Sequence, residues 1–263
     1  MNEIRNGRLA QSDGSAEPAG SRGVFETLLL REGAPVFFRE HCERFAAGCA
    51  RFGLIAAPGA GALRSAAAEL VRATGVAAGV LRWAAWTDAA GAEGWSMRVE
   101  PPRPHMLAAA WRVAVSPLRL PPADADAIHK HLGRKRWRDA LEAGRAAGCD
   151  EVLLADGTDG VVEGAISNVF IVCGGALITP AASAGPLPGI VRAKVLELSL
   201  AEGVTAREDR LALADLPGAD EIFLTNSLAG VRPVAWLDGR ILPAPGPVTL
   251  RLQSAWRRIY GWD

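Results

Sequence analysis

Val161-Val162-Glu163-Gly164-Ala165-Ile166-Ser167-Asn168-Val169-Phe170 sets one carboxylate among apolar and small residues. The stretch is bounded by the turn-forming Asp156-Gly157-Thr158-Asp159-Gly160 and by Gly174-Gly175, so it reads as an extended excursion between two strands. A carboxylate buried there calls for a cationic partner, because an unpaired charge is costly to remove from water. His129-Lys130-His131 lies upstream and Gly185-Pro186-Leu187-Pro188-Gly189 downstream. A buried Glu, a Lys and a glycine-rich helix start together suit an anionic ligand with a basic ring nitrogen.

Outward from this stretch, residues 151–155 read as a strand leading in, and residues 167–172 and 176–179 as a hairpin. Helices are expected over 134–147, ended by Gly148, and over 189–202, ended by Gly203. Residues 221–225 and 231–236 read as strands, Asp238-Gly239 as a hairpin turn and 248–259 as a closing helix. In the N-terminal half, residues 23–30 and 36–38 read as hairpin strands around Gly33, 39–52 as a helix with Phe45, Cys49 and Phe52 on one face, and about 62–74 as a second helix. Strands at 80–86, 96–100 and 111–115 complete a helix-covered, largely antiparallel sheet. The first twenty residues, polar and rich in Gly, Ala and Ser, read as a loose lead-in. Residues 121–126 resist both helix and strand. The expected division is therefore a smaller α+β domain over 1–120, a linker over 121–126 and a larger domain over 127–263.

The 263-residue chain is 49% hydrophobic, enough to bury a sizeable core. Its 29 Lys and Arg balance its 29 Asp and Glu and form no massed basic run, which argues against a nucleic-acid or anionic-membrane surface. No segment approaches the ~20 apolar residues of a membrane-spanning helix, and the N-terminal residues lack the apolar core of an export signal. A cytoplasmic enzyme or binding protein is the expectation. Cys42, Cys49, Cys149 and Cys173 make no C-x-x-C pair and read as reduced thiols.

Two readings of Lys130 stay open on local sequence. It is a solvated lysine opening a basic helix, or an amine that desolvation and cationic neighbours partly deprotonate, able to attack a carbonyl. His129 and His131 would share a strand face, but no third ligand lies at metal spacing, so no metal site is expected. The 185–189 loop leads straight into a helix whose first N–H groups and positive dipole end suit a phosphate, although such loops also begin helices for steric reasons alone. Thr225-Asn226-Ser227, at a strand end, could bind a phosphate or cap a turn.

Six motifs in order resemble the class IV aminotransferases, the pyridoxal-phosphate enzymes of fold type IV. They are Gly23-Val24-Phe25-Glu26-Thr27, His41-Cys42-Glu43-Arg44, Lys130-His131-Leu132-Gly133-Arg134, the 161–170 stretch, Leu187-Pro188-Gly189-Ile190-Val191-Arg192 and Thr225-Asn226-Ser227. The resemblance implies an α+β fold of two α/β domains with pyridoxal 5'-phosphate between them, a homodimer, and a small-molecule substrate carrying an amino group. It implies that Lys130 bonds to the cofactor and later moves the substrate's α-proton. Glu163 would keep the pyridine nitrogen protonated with Asn168 near the ring, while Arg44, the N–H groups of Ile190 and Val191 and the Ser227 hydroxyl would bind the phosphate.

The cation for a substrate carboxylate is left open among Arg82, Arg103 and Arg232, with Asn226 as a further contact, because residues 87–95 lack the arginine of many relatives. Gly133 stands where the family usually has Asn, and Val191 replaces a common hydroxyl residue. Residues 224–234 and Lys130-His131-Leu132 are most similar to the family's lyases, which release 4-aminobenzoate and pyruvate from 4-amino-4-deoxychorismate. An aminotransferase of branched-chain or D-amino acids ranks second, and a non-catalytic descendant of the fold third. Residues 36–38 and 83–86 are candidates for a dimer contact or for internal core.

Overall fold

Residues 2–11, 17–102, 108–122 and 126–262 are described by a computed structural model. The chain divides into two units, residues 1–103 with 129–134, and residues 104–128 with 135–263. The first contains β1 (Asn2–Arg5), β2 (Arg8–Gln11), β3 (Arg22–Arg31), β4 (Ala34–Pro35), α1 (Phe38–Phe52), α2 (Ala60–Thr74), β5 (Gly79–Thr87) and β6 (Glu93–Glu100). Its six strands pair antiparallel in the order β2-β1-β6-β5-β3-β4. Along β3, Val24, Glu26, Leu28 and Leu30 are buried while the residues between them are less so, the period of a strand with one face under a helix. Val24, Leu28 and Leu30 share a core with Phe38, Phe45 and Cys49 of α1 and Trp83 of β5. Trp83 is only 1% exposed and takes the rings of Phe38 and Phe45 edge-on at 5.9 and 6.1 Å.

Two expectations for this unit need correction. Residues 2–11 are a hairpin on β6 rather than a loose lead-in: Asn6-Gly7 takes positive φ at both turn positions, and Ile4 is buried. Residues 36–38 form no strand, since β4 ends at Pro35, Phe37 adopts left-handed φ 52° and Phe38 opens α1. Of the side chains read as dimer contact or internal core, Phe38 and Trp83 belong to this unit's core, and Trp86 is also buried.

The second unit contains β7 (Trp111–Leu120), α3 (Lys135–Ala146), β8 (Glu151–Asp156), β9 (Val161–Gly164), β10 (Asn168–Cys173), β11 (Ala176–Pro180), α4 (Ile190–Ala201), β12 (Ala206–Asp209), β13 (Glu221–Asn226), β14 (Gly230–Leu237), β15 (Arg240–Ile241) and α5 (Pro247–Tyr260). The sheet order is β12-β11-β10-β13-β14-β7-β8-β9, with β15 on β14. β7 belongs here, parallel to both β14 and β8, and not with the N-terminal sheet expected for residues 111–115. Periodicity shows that a strand is half-buried but not which strand it pairs with. β12 was not foreseen because Ala206-Arg207-Glu208-Asp209 is a polar edge strand.

Residues 129–134 return to the first unit. The Phe25 N–H donates to the Lys130 carbonyl at 2.9 Å and the Leu132 N–H to that of Gly23 at 2.8 Å, laying this segment along β3. Among the described residues no helix is long and apolar enough to cross a membrane, and no cluster of three His, Cys, Asp or Glu could hold a metal.

The Trp83 packing makes a direct prediction. Trp83→Ala should lower stability to urea by about 3–5 kcal/mol, the usual cost of emptying a large aromatic site; a loss below about 1 kcal/mol would show that the site collapses freely.

Candidate active site

β9 carries Glu163 opposite Leu154 of β8, where its side chain is 2% exposed. Two neutral donors hold its carboxylate: the Trp137 indole N–H of α3 reaches Oε1 at 2.8 Å, and the Leu187 backbone N–H reaches Oε2 at 2.9 Å. The Leu187 carbonyl in turn accepts the Asn168 side-chain N–H at 2.9 Å. Glu163 and Asn168 are thus tied to the same residue, which immediately precedes Pro188-Gly189 and the start of α4. A Cβ on Gly189 would lie 1.9 Å from Asn168 Oδ1, so only glycine permits this approach.

Ile190 and Val191 occupy the first turn of the twelve-residue α4, which begins at Gly189 with no side-chain cap. First-turn amides have no intrahelical acceptor and carry the positive end of the dipole. Arg192 is directed elsewhere, to the Pro180 carbonyl at 2.9 Å and Glu208 at 2.6 Å. Ser227 begins the turn between β13 and β14. Asn226 caps that turn, its Oδ1 accepting the N–H groups of Leu228 and Ala229 at 2.9 and 2.8 Å. Buried Arg232 donates to the Ala229 carbonyl at 3.1 Å and braces the same turn. Thr225, in register with Asn168, has a buried hydroxyl without a hydrogen-bond partner among the described residues.

In the first unit, Lys130 Nζ lies 4.9 Å from the centroid of the Phe25 ring, and the Arg82 guanidinium lies 4.2 Å from the same centroid. Arg82 also pairs with Glu17 at 2.7 Å, and its buried Nε has no hydrogen-bond partner among the described residues. Burial lowers the Arg82 pKa, with Glu17 opposing that change. His129 and His131 pack against Phe52 at 6.3 and 5.8 Å. Arg103 lies outside the described residues.

Buried Glu26, to which the sequence reading gave no role, receives Arg44 Nε at 2.8 Å, Arg44 Nη2 at 2.7 Å and His41 Nδ1 at 2.7 Å. Burial alone would raise the Glu26 pKa, but Arg44 and His41 carry it far below the usual carboxylate range. Burial also holds His41 below the ordinary imidazole value, although Glu26 opposes this. Arg44 is therefore oriented by a fixed carboxylate.

Glu151 was passed over as well. It is fully buried at the start of β8 and accepts four hydrogen bonds. Burial pushes its pKa up to about 7, against the downward pull of those donors. Only its place one strand away from Glu163 could have drawn attention to it, and that needs the β8–β9 register.

The chain belongs to the class IV aminotransferase family, a family of pyridoxal-phosphate enzymes, whose family model, "Amino-transferase class IV", matches residues 23–237. Its fold is that of the branched-chain aminotransferase of Thermoproteus uzoniensis, with a TM-score of 0.87 and 25% identity over 100% of this chain and 96% of that one. The 4-amino-4-deoxychorismate lyase of Pseudomonas aeruginosa is similar at a TM-score of 0.82, with 29% identity over 98% of each chain. A branched-chain-amino-acid aminotransferase of Pseudomonas aeruginosa is 29% identical over 185 residues, 63% of this chain and 60% of that protein. Two further aminotransferase relatives are matched over only 40% and 20% of their lengths.

The contact at Gly189 is open to test. Gly189→Ala should cost about 1–3 kcal/mol through overpacking against Asn168, and Asn168→Ala in the same chain should recover part of that loss. Strict additivity of the two changes in chemical denaturation would contradict the contact.

Proposed function

We propose that this chain is a pyridoxal-phosphate-dependent lyase converting 4-amino-4-deoxychorismate to 4-aminobenzoate and pyruvate, acting as a homodimer. The observation that carries the choice within the family is the sequence Thr225-Asn226-Ser227-Leu228 at the β13–β14 turn, which is similar to that of the family's lyases. The likeness to the Pseudomonas aeruginosa lyase over 98% of both chains supports the same reading.

The residues present fit the cofactor. A buried carboxylate with fixed orientation suits a ring nitrogen, and the Thr225 hydroxyl is buried without a partner among the described residues. In the second unit, the first-turn amides at Ile190 and Val191, with Ser227, suit its phosphate; in the first, Arg44 is a cation held in fixed orientation. When bound, pyridoxal phosphate supplies an electron sink for the bond-breaking steps.

The chain's own groups do the rest. Glu163 holds a proton on the ring nitrogen, with Asn168 near it. Lys130 takes the proton from the substrate carbon bearing the amino group. The carbon–oxygen bond to the enolpyruvyl group then breaks, its electron pair leaves with enolpyruvate, and a proton taken up there gives pyruvate. Formation of the aromatic ring supplies much of the driving force. Arg82, which packs on the same Phe25 ring as Lys130 and is paired with Glu17, is the cation proposed for a substrate carboxylate.

The second reading is an aminotransferase, favoured by the branched-chain relatives. It requires a keto acid to return the cofactor from its amine form. Purified protein should release 4-aminobenzoate from 4-amino-4-deoxychorismate; keto-acid-dependent amino transfer without 4-aminobenzoate would reverse the ranking.

Two variants test the residue roles. Borohydride reduction followed by peptide mass analysis should find the pyridoxyl group on Lys130, and Lys130→Ala should lower turnover by about 10²–10⁴-fold. Glu163→Gln should retain cofactor yet lose most turnover; unchanged turnover would remove Glu163 from the mechanism.

A further inference from the structure

We infer that Glu151 is a positioning residue for the ring-nitrogen side of the site, acting by clamping the turn that joins Glu163 to Asn168. The inference rests on the reading of Glu163 as partner of the ring nitrogen.

Four donors converge on one buried carboxylate. Oε1 accepts the backbone N–H groups of Val152 at 2.9 Å and Ala165 at 3.1 Å, and Oε2 accepts the Ile166 N–H at 3.0 Å and the Ser167 hydroxyl at 2.7 Å. Consecutive backbone N–H groups pointing at one centre make an anion-binding concavity, and here an acidic side chain of the same chain fills it. The turn is closed further by the Gly164 N–H on the Ser167 carbonyl at 2.7 Å. No side chain fits at position 164, where a Cβ would lie 2.2 Å from Ser167 Oγ and 3.0 Å from Glu151 Oε2.

This turn is one side of a closed circuit. Glu163 precedes it and Asn168 follows it, and both side chains are bonded to Leu187. Leu187 fixes the far side and Glu151 the near side, so the spacing of Glu163 and Asn168 has no slack. Loss of the Glu151 carboxylate would leave the Ile166 N–H and the Ser167 hydroxyl without this acceptor, while the Ala165 N–H would keep its second acceptor, the Val152 carbonyl at 3.0 Å. The turn would then shift to satisfy them and carry Glu163 with it. Gln is a poor substitute, because its NH₂ would face donors that need an acceptor.

The test compares the apo protein's affinity for pyridoxal 5'-phosphate with that for its 1-deaza analogue, in which a C–H replaces the ring nitrogen. Titrations by absorbance are run on wild type, Glu163→Gln, Glu151→Gln and Ser167→Ala, with circular dichroism checking each fold. Wild type should favour the natural cofactor, and Glu163→Gln should lose that preference. Glu151→Gln should lower the preference by roughly 10-fold or more, as removal of outer partners that orient a liganding group does. Ser167→Ala removes one donor, leaves the rest of the clamp, and should lower the preference less; it carries the test if Glu151→Gln does not fold.

Equal weakening for both compounds in Glu151→Gln and Ser167→Ala, with Glu163→Gln still selective in its loss, would reduce Glu151 to a structural role and overturn the inference alone. Absence of any preference in wild type, or its survival in Glu163→Gln, would overturn both the inference and the reading it rests on.

Discussion

Leu187 donates its N–H to Glu163 and offers its carbonyl to Asn168, at 2.9 Å in each case. Everything proposed for the second unit depends on this double grip. It sets a carboxylate and an amide at fixed positions, and it does so two residues before Gly189 starts α4. The parts suited to a ring nitrogen and to a phosphate are therefore placed by one short segment. Close packing of Gly189 on Asn168 removes the remaining freedom.

The first unit uses the two-residue period of β3 for a comparable end. Phe25 faces Lys130 and Arg82, while the next residue, Glu26, is buried with His41 and Arg44 of α1. A single strand thereby orders two groups of cations on opposite faces. Removing one partner from such a buried network leaves a charge without compensation, which costs far more than an exposed ion pair contributes. The register that lays Lys130 along β3 comes from backbone bonds alone, so it does not depend on the side chains it positions.

Much of this was legible in the residues. Apolar runs bounded by glycines marked most strands and all five helices to within a few positions, and the order of six short motifs pointed to the family. What escaped has common physical causes. β7 was placed in the wrong sheet because alternation carries no information on partners, and the charged edge strand β12 has no apolar face to reveal it. The N-terminal hairpin did carry a signal, Asn6-Gly7, which the polar composition around it obscured. Glu26 and Glu151 were invisible as functional candidates because their meaning lies in donors remote in sequence, such as Arg44 and Ser167.

The central claim is that Glu163 keeps a proton on the nitrogen of a bound pyridine ring. The most direct measurement is nitrogen-15 NMR of the protein loaded with pyridoxal 5'-phosphate labelled at the ring nitrogen, recorded above the pH at which a free pyridine loses its proton. The account predicts a pyridinium-type shift that moves to the pyridine position in Glu163→Gln. A pyridine-type shift in the unmodified protein would contradict it.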